Sequence, residues 1–425
     1  MTQPFQERAR RLPFAFTSID GAVRRDLVYL EASDTAQTFA VLYRPSGMEA
    51  KTVVFLMHPR ADFQRHYVAP GLVAAGLAVF CASSRYLNND IDMVHERIQL
   101  DIAAGLRWLK AAGFDRIVLL GNSGGGSLLG LYQSQALLPP GERLNVTPSG
   151  EPIPLAAEEM PPGDLFIAVA AHQGQGRFML NVLDPSLTVE GDPDSYDPEW
   201  DMYDARNGYR PYPAASSYDR AWLAEYRRRQ RERSLRLDAI ARSWLAEHEH
   251  FRSVLRSPGY EQLSPGDRGM AARRGRLARY MTIYRTLANP AYLDPTLDPS
   301  ARPLGSIFSP GDPIIGNYGP GGLARVMTPR GWLSTWSGTS SNADLTATIR
   351  GITTPTFVVY ADGDCDIFPS EQDELFENAG ASDKAFDILP WADHYLLAVG
   401  EEGKRLADPR DRLISLIVPW MRARL

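Results

Sequence analysis

The stretch RIVLLGNSGGGSLLG, residues 116–130, decides the fold. RIVLL, residues 116–120, has the apolar pattern of a strand covered on both faces of a sheet, and residues 127–138 favour a helix. The turn between them, Gly121-Asn122-Ser123-Gly124-Gly125, matches G-x-S-x-G. A sharp strand-to-helix turn of this kind holds a serine hydroxyl above the edge of a sheet. The stretch therefore predicts an α/β protein with Ser123 as a candidate nucleophile.

Two other interpretations of this turn exist. An ordinary glycine-rich turn that opens a helix would have the same composition. A phosphate-binding loop is disfavoured, because no lysine follows and the G-x-G-x-x-G spacing is absent. The glycines favour the nucleophile turn, since side chains there would collide with the neighbouring strand and helix.

The chain on either side of this stretch alternates between predicted strands and helices. That rhythm is typical of a mostly parallel central sheet flanked by helices, wound by right-handed crossovers. The predicted strands are 25–31, 38–43, 51–57, 77–82, 116–120, 165–171 and 356–361, and the predicted helices are 67–75, 92–112, 127–138 and 413–422.

The alternation stops after residue 171 and resumes only at 356. Within the gap, helical spacing of apolar residues predicts a long helix over 218–255 and a second over about 270–288. We therefore expect a catalytic core of residues 1–172 and 351–425, interrupted by a helical insertion of residues 173–350.

A serine hydroxyl needs a base within hydrogen-bonding reach, and that base is oriented by a carboxylate. In α/β proteins with this turn the chain order is serine, acid, histidine. The sequence contains 7 histidines, and only His394 follows the last predicted strand. We therefore expect His394 to be the base. His172 ends a predicted strand and is expected to contact the substrate at most.

Three aspartates compete for the role of the acid just after the predicted strand 356–361: Asp362, Asp364 and Asp366. Asp366 takes the last place of a G-x-x-D turn and is followed by two apolar residues and a proline, which would anchor the loop. We therefore expect Asp366 to orient His394, and Asp362 and Asp364 to cap or solvate the turn.

The tetrahedral oxyanion of acyl transfer needs two N–H donors. Gly124, directly after the nucleophile, is the first candidate. The second should come from the loop after strand 51–57. Pro59 has no N–H to donate, so the backbone of Arg60 is the second candidate, although it could also be a plain loop residue.

Five stretches carry a resemblance to a known family: VVFLMHP (53–59), Ser84-Arg85, GNSGG (121–125), GDCDIFP (363–369) and WADHYL (391–396). Taken together, they resemble the α/β-hydrolase superfamily over residues 26–171 and 351–425. The chain departs from the pattern at His58-Pro59-Arg60, where many members carry His-Gly. The resemblance implies that residues 173–350 form a cap over the active site.

We expect a serine hydrolase that cleaves a carboxylic ester or lactone through an acyl-enzyme. Thioesterase, amidase and C–C bond hydrolase remain open, since the same triad serves all of them. A binding protein that has lost catalysis is the alternative from another class. Aromatic residues of the insertion favour a small-molecule, largely apolar ester as substrate.

The composition restricts partners and cofactors. A net charge of −6 argues against nucleic-acid binding. The 2 cysteines, Cys81 and Cys365, fit neither a disulfide framework nor a metal site. We expect no metal and no cofactor. Residues 1–11 are polar and do not resemble a secretory signal, and no stretch reaches transmembrane length. A cytoplasmic location is the default expectation, and a homo-oligomer is left open.

Overall fold

The computed structural model describes residues 15–425 except 17, 20 and 22. Among these residues eight strands form one sheet: β1 Val23–Glu31, β2 Gln37–Pro45, β3 Thr52–His58, β4 Ala78–Ser83, β5 Arg116–Asn122, β6 Leu165–Val169, β11 Thr356–Ala361 and β12 Lys384–Leu389. Their order in the sheet is β1-β2-β4-β3-β5-β6-β11-β12. The pairs β1–β2 and β2–β4 are antiparallel, and the remaining neighbours are parallel.

Helices cover both faces of the sheet, because the central strands are apolar on both sides. The helices are α1 Val68–Ala74, α2 His95–Ala111, α3 Gly124–Ala136, α4 Gln175–Val182, α5 Arg220–Arg256, α6 Pro265–Arg274, α7 Ile314–Tyr318, α8 Pro329–Gly331, α9 Leu345–Thr348, α10 Pro369–Asn378, α11 Gly400–Lys404 and α12 Pro409–Arg422. The helices α2 and α3 contribute to the hydrophobic core on one face of the sheet, and α1 and α12 to the core on the other.

This architecture confirms the prediction of an α/β fold with a mostly parallel sheet flanked by helices. The run at 116–120 lies in β5, whose residues after the first are all buried. The parallel order places the carboxyl ends of β3, β5, β6 and β11 at one edge of the sheet. Ligands of open α/β sheets bind at that edge.

Residues 173–350, called the insert below, lie between β6 and β11, which are neighbours in the sheet. The insert forms most of a separate hydrophobic cluster, in which Trp332 and Tyr226 are fully buried and to which Phe368 also belongs. The long helix expected at 218–255 is α5, Arg220–Arg256. The insert also contains four short strands, β7 Met281–Thr282, β8 Gly305–Ser306, β9 Ser309–Pro310 and β10 Val326–Met327.

The second helix expected in the insert, at 270–288, is wrong. The helix α6 ends at Arg274, and the chain beyond it forms β7, which pairs with β10. Arg285 has a φ of 52°, a left-handed conformation that no α-helix can contain. Pairing with a distant strand therefore overrides the helical spacing of the apolar residues.

The expectations for residues 1–11 lie outside the described residues. Within the described part of the chain, no helix combines the length and the apolar character needed to cross a membrane.

Candidate active site

Ser123 lies on a strained turn between β5 and α3. Its φ of 55° and ψ of −130° are unusual for a residue with a side chain. The turn closes tightly, since a Cβ on Gly121 would lie 2.5 Å from the Gly126 Cα atom. A Cβ on Gly125 would lie 2.6 Å from the Met57 carbonyl oxygen. Only glycine fits at these places, and the serine hydroxyl is therefore raised above the sheet edge.

The structure brings Ser123 and His394 together. His394 lies in the loop after β12, and its Nε2 atom is 2.9 Å from Ser123 Oγ. Asp393 shapes this loop, because its carboxylate accepts the backbone N–H groups of Tyr395 and Leu397 at 2.9 and 2.8 Å. The His394 side chain is almost fully enclosed, at 3% exposure.

Asp364, and not Asp366, contacts His394. The Asp364 Oδ2 atom lies 2.6 Å from His394 Nδ1. Its Oδ1 atom accepts the backbone N–H groups of Asp366 and Ile367 at 2.9 and 3.3 Å. The expectation that Asp366 orients the histidine is therefore wrong, because the carboxylate in contact with His394 belongs to Asp364.

Asp366 points to the insert instead. Its carboxylate accepts a hydrogen bond from the Ser306 hydroxyl at 2.8 Å and from the Ile307 N–H at 2.6 Å. Asp362, the third aspartate of this loop, accepts the backbone N–H of Trp391 and so links the acid loop to the histidine loop. The turn after β11 thus distributes its three carboxylates to three different partners.

Charges inside this site shift the pKa of its groups. Burial alone would lower the pKa of His394, but the adjoining Asp364 carboxylate, helped by Asp366 and Asp393, raises it above the ordinary value. Burial and the neighbouring Asp364 charge raise the pKa of Asp366 to about 6. His394 is thus held as a stronger base than a free imidazole.

The backbone N–H of Arg60 does not face Ser123. It donates to His58 Nδ1 at 3.1 Å, and the Ala61 N–H donates to the same atom at 2.8 Å. The expectation that the Arg60 N–H supplies an oxyanion donor is therefore wrong, because this N–H already donates to His58. The Arg60 guanidinium pairs with Asp90 at 2.9 Å and lies over the Trp336 ring.

Gly124 opens α3, so its N–H lacks an acceptor within the helix. A small cavity of about 50 Å³ adjoins Ser123 and His394. His172 lies in its wall, as do two side chains that the sequence analysis did not single out, His58 and Gln175. Further wall residues are contributed by the insert: Phe178, Ile307, Phe308, Leu323 and Trp336.

A signal for His58 was present in the sequence, because His58 ends β3 at the same sheet edge as Ser123. No comparable signal exists in the sequence for Gln175, the first residue of helix α4, because its position depends on the path that the chain takes from β6 into this helix.

No protein-family model and no curated protein matches the sequence. Among solved structures, the chain is similar to the esterase domain of a Rhodothermus marinus protein, with 11% identity, a TM-score of 0.43, and coverage of 94% of this chain and 98% of that chain. It is similar to an esterase of Pyrococcus furiosus, with 12% identity, a TM-score of 0.44, and coverage of 94% and 91%. It is also similar to the α/β hydrolase GrgF from Penicillium sp. sh18, with 13% identity, a TM-score of 0.45, and coverage of 92% and 100%.

The resemblance to α/β hydrolases is confirmed at the level of the fold. The mostly parallel eight-stranded sheet and the strand–serine–helix turn after β5 carry it.

Proposed function

We propose that the protein is a serine hydrolase that cleaves a carboxylic ester or lactone through an acyl-enzyme intermediate. One observation supports the proposal above all others, the hydrogen-bonded chain from Ser123 through His394 to Asp364. In it a nucleophile, a base and an orienting carboxylate stand in the order that acyl transfer requires.

In the acylation step, the Ser123 oxygen attacks the carbonyl carbon of the substrate while its proton passes to His394 Nε2. Asp364 accepts the Nδ1–H of His394 and stabilises the imidazolium that forms. The carbonyl electron pair moves onto the oxygen, where the free N–H of Gly124 at the start of α3 donates to it. Collapse of this intermediate transfers the proton from His394 to the departing alcohol.

In the deacylation step, His394 takes a proton from a water molecule, which attacks the acyl carbon. The Ser123 oxygen then departs and regains its proton from His394. The raised pKa of His394 favours proton acceptance in both steps.

The size of the cavity favours a short acyl group. A volume of about 50 Å³ holds only a few water-sized groups, whereas pockets for drug-sized ligands measure ~300–1,000 Å³. The insert supplies much of the apolar wall, including Phe178 and Trp336. We therefore propose that the insert acts as a cap and that the acyl group it admits is small.

Thioesters, amides and C–C bonds next to a carbonyl are open to the same chemistry. A rate survey with p-nitrophenyl esters from acetate to decanoate, matched thioesters and anilides tests the proposal. We expect hydrolysis of acetate and butyrate esters at least tenfold faster than of decanoate. The Ser123→Ala variant should be inactive with an unchanged melting temperature. A survey in which wild type and Ser123→Ala are equally inert would overturn the proposal and favour a binding protein.

A further inference from the structure

Three side-chain nitrogen atoms converge on one point above Gly124, directly beside the nucleophile. A Cβ built on Gly124 would lie 2.7 Å from Gln175 Nε2, 2.9 Å from His58 Nε2 and 3.2 Å from His172 Nε2. His58 ends β3, His172 follows β6, and Gln175 begins α4. The three groups therefore reach the same small volume from three different parts of the chain.

Both histidines are fixed in the tautomer that carries hydrogen on Nε2. The Nδ1 atom of His58 accepts two backbone N–H groups, from Arg60 and Ala61, and so cannot carry a hydrogen itself. The Nδ1 atom of His172 likewise accepts the Gly174 N–H at 3.0 Å. A neutral imidazole with Nδ1 occupied as an acceptor has its N–H at Nε2.

Both rings also stay neutral. Burial, together with the positive charge of Arg60, lowers the pKa of His58 well below its ordinary value. Burial lowers the pKa of His172 to about 3. At neutral pH each ring therefore presents one donor to the cavity and cannot replace His394 as the base.

Gln175 adds an amide donor. Its Nε2 atom is buried and has no hydrogen-bond partner among the described residues. The Ser127 hydroxyl lies 3.4 Å from the Gln175 Oε1 atom and 3.2 Å from the Gly124 carbonyl oxygen, and its one hydrogen can be donated to either acceptor. The nearby His95, whose Nε2 is also without a partner, can take one of the two amide hydrogens. The second hydrogen remains for a ligand, and a buried donor without an acceptor is costly unless function requires it.

We propose that the side-chain N–H groups of His58, His172 and Gln175 form the oxyanion hole together with the Gly124 N–H. This inference rests on the proposed function. When Ser123 attacks, the carbonyl electron pair moves onto an oxygen beside Gly124, and these donors receive the negative charge. They take the place of the Arg60 N–H, which His58 itself engages. The catalytic donors of this site are thus mostly side chains.

The test removes one donor at a time with p-nitrophenyl acetate as substrate. In His58→Asn and His172→Asn, the amide oxygen can replace the Nδ1 acceptor while the Nε2 donor is lost. Gln175→Leu removes the amide at nearly constant size. Loss of one oxyanion donor costs about 10²–10³ in kcat, so we expect this loss in each variant, with KM changed less than threefold. Gln173→Leu is the matched control, since the Gln173 amide contacts Glu374 away from Ser123, and it should keep its activity.

Two further readouts separate a catalytic from a structural role. His58→Gln, which keeps a nitrogen donor near the Nε2 position, should recover at least tenfold over His58→Asn. A trifluoromethyl ketone, which forms an oxyanion adduct with an active serine, should bind each variant at least 50-fold more weakly. ¹⁵N spectra of the wild-type histidines should give His58 and His172 as Nε2–H tautomers, whether or not the variants fold.

The outcomes distinguish this inference from the function on which it rests. If the wild type hydrolyses acetate and the three variants lose less than fivefold, the oxyanion assignment is overturned and the hydrolase remains. Nδ1–H tautomers at both histidines would overturn it as well. A wild type that neither hydrolyses esters nor binds the ketone would remove the proposed function, and this inference with it.

Discussion

Replacing Asp364 by asparagine changes one atom of the buried contact with His394. The Asp364 side chain is fully buried and has two tasks, since Oδ1 accepts two backbone N–H groups and Oδ2 accepts from His394. In the variant the amide oxygen is held by the N–H groups of Asp366 and Ile367. The NH₂ group then faces His394 and donates to Nδ1, which forces the ring hydrogen onto Nε2. In that tautomer His394 cannot accept the proton of Ser123.

The expected loss follows from this tautomer change. An asparagine at the orienting position of such a triad costs about 10⁴ in kcat while the geometry is preserved. Since a tenfold change in rate corresponds to about 1.4 kcal/mol, the barrier should rise by about 5.5 kcal/mol. The acid limb of the kcat/KM profile should also move to lower pH, because the main charge that raises the pKa of His394 is gone.

Asp366→Asn is the matched control, two residues away in the same loop. Its amide oxygen can keep the Ile307 N–H, and its NH₂ group can donate to the Ser306 hydroxyl, which accepts as readily as it donates. We expect less than a tenfold loss of kcat for this variant with p-nitrophenyl acetate, measured between pH 5 and 9. An inactive Asp366→Asn beside an Asp364→Asn within tenfold of wild type would refute the reasoning.

Three other predictions concern the pH profile, the turn and the support behind it. Because the base must be neutral and its pKa is raised, kcat/KM should rise with pH through a single step above ~6.5, set by His394; a profile flat from pH 5 to 9 would contradict this. Gly124→Ala would place a methyl group within 2.7 to 3.2 Å of three nitrogen atoms, so kcat should fall by at least about 10². Full activity of this variant would show that the region above Gly124 does not bind the reacting carbonyl group. Asn122 Oδ1 accepts a hydrogen bond from His66 Nε2 at 3.1 Å, and the Asn122 amide NH₂ donates to the Val169 carbonyl at 2.9 Å. Asn122→Ala should cost about 1–3 kcal/mol of unfolding free energy in urea titrations, and a loss below ~0.5 kcal/mol would contradict the buried network.

Seven of the eight strands of the sheet and the turn after β5 could be predicted because their signals are local; the edge strand β12 is not among the predicted strands. Residues 116–120 form an apolar run, and Gly121 is required by the turn itself, because a Cβ there would lie 2.5 Å from the Gly126 Cα atom. The position of His394 after the last strand follows from chain order alone. These features need no knowledge of distant contacts.

The acid could not be chosen from the sequence for the opposite reason. Asp364 and Asp366 share one turn, and Ser306 and Ile307 of the insert hold Asp366 away from His394. Arg60 is similar, since its N–H is directed by the conformation of the His58 ring. The choice of the acid depends on contacts between parts of the chain that are far apart. The direction of the Arg60 N–H depends on the orientation of a side chain two residues away. The spacing of residue types encodes neither.

The central claim is an activated Ser123, and covalent labelling with a fluorophosphonate probe tests it most directly. The probe reacts with a hydroxyl whose proton has an acceptor, so labelling reports the Ser123–His394 pair. We expect mass spectrometry to find one adduct, on Ser123, that disappears in His394→Ala and weakens as the pH falls through the His394 titration. An adduct on another serine, or undiminished labelling in His394→Ala, would contradict the claim.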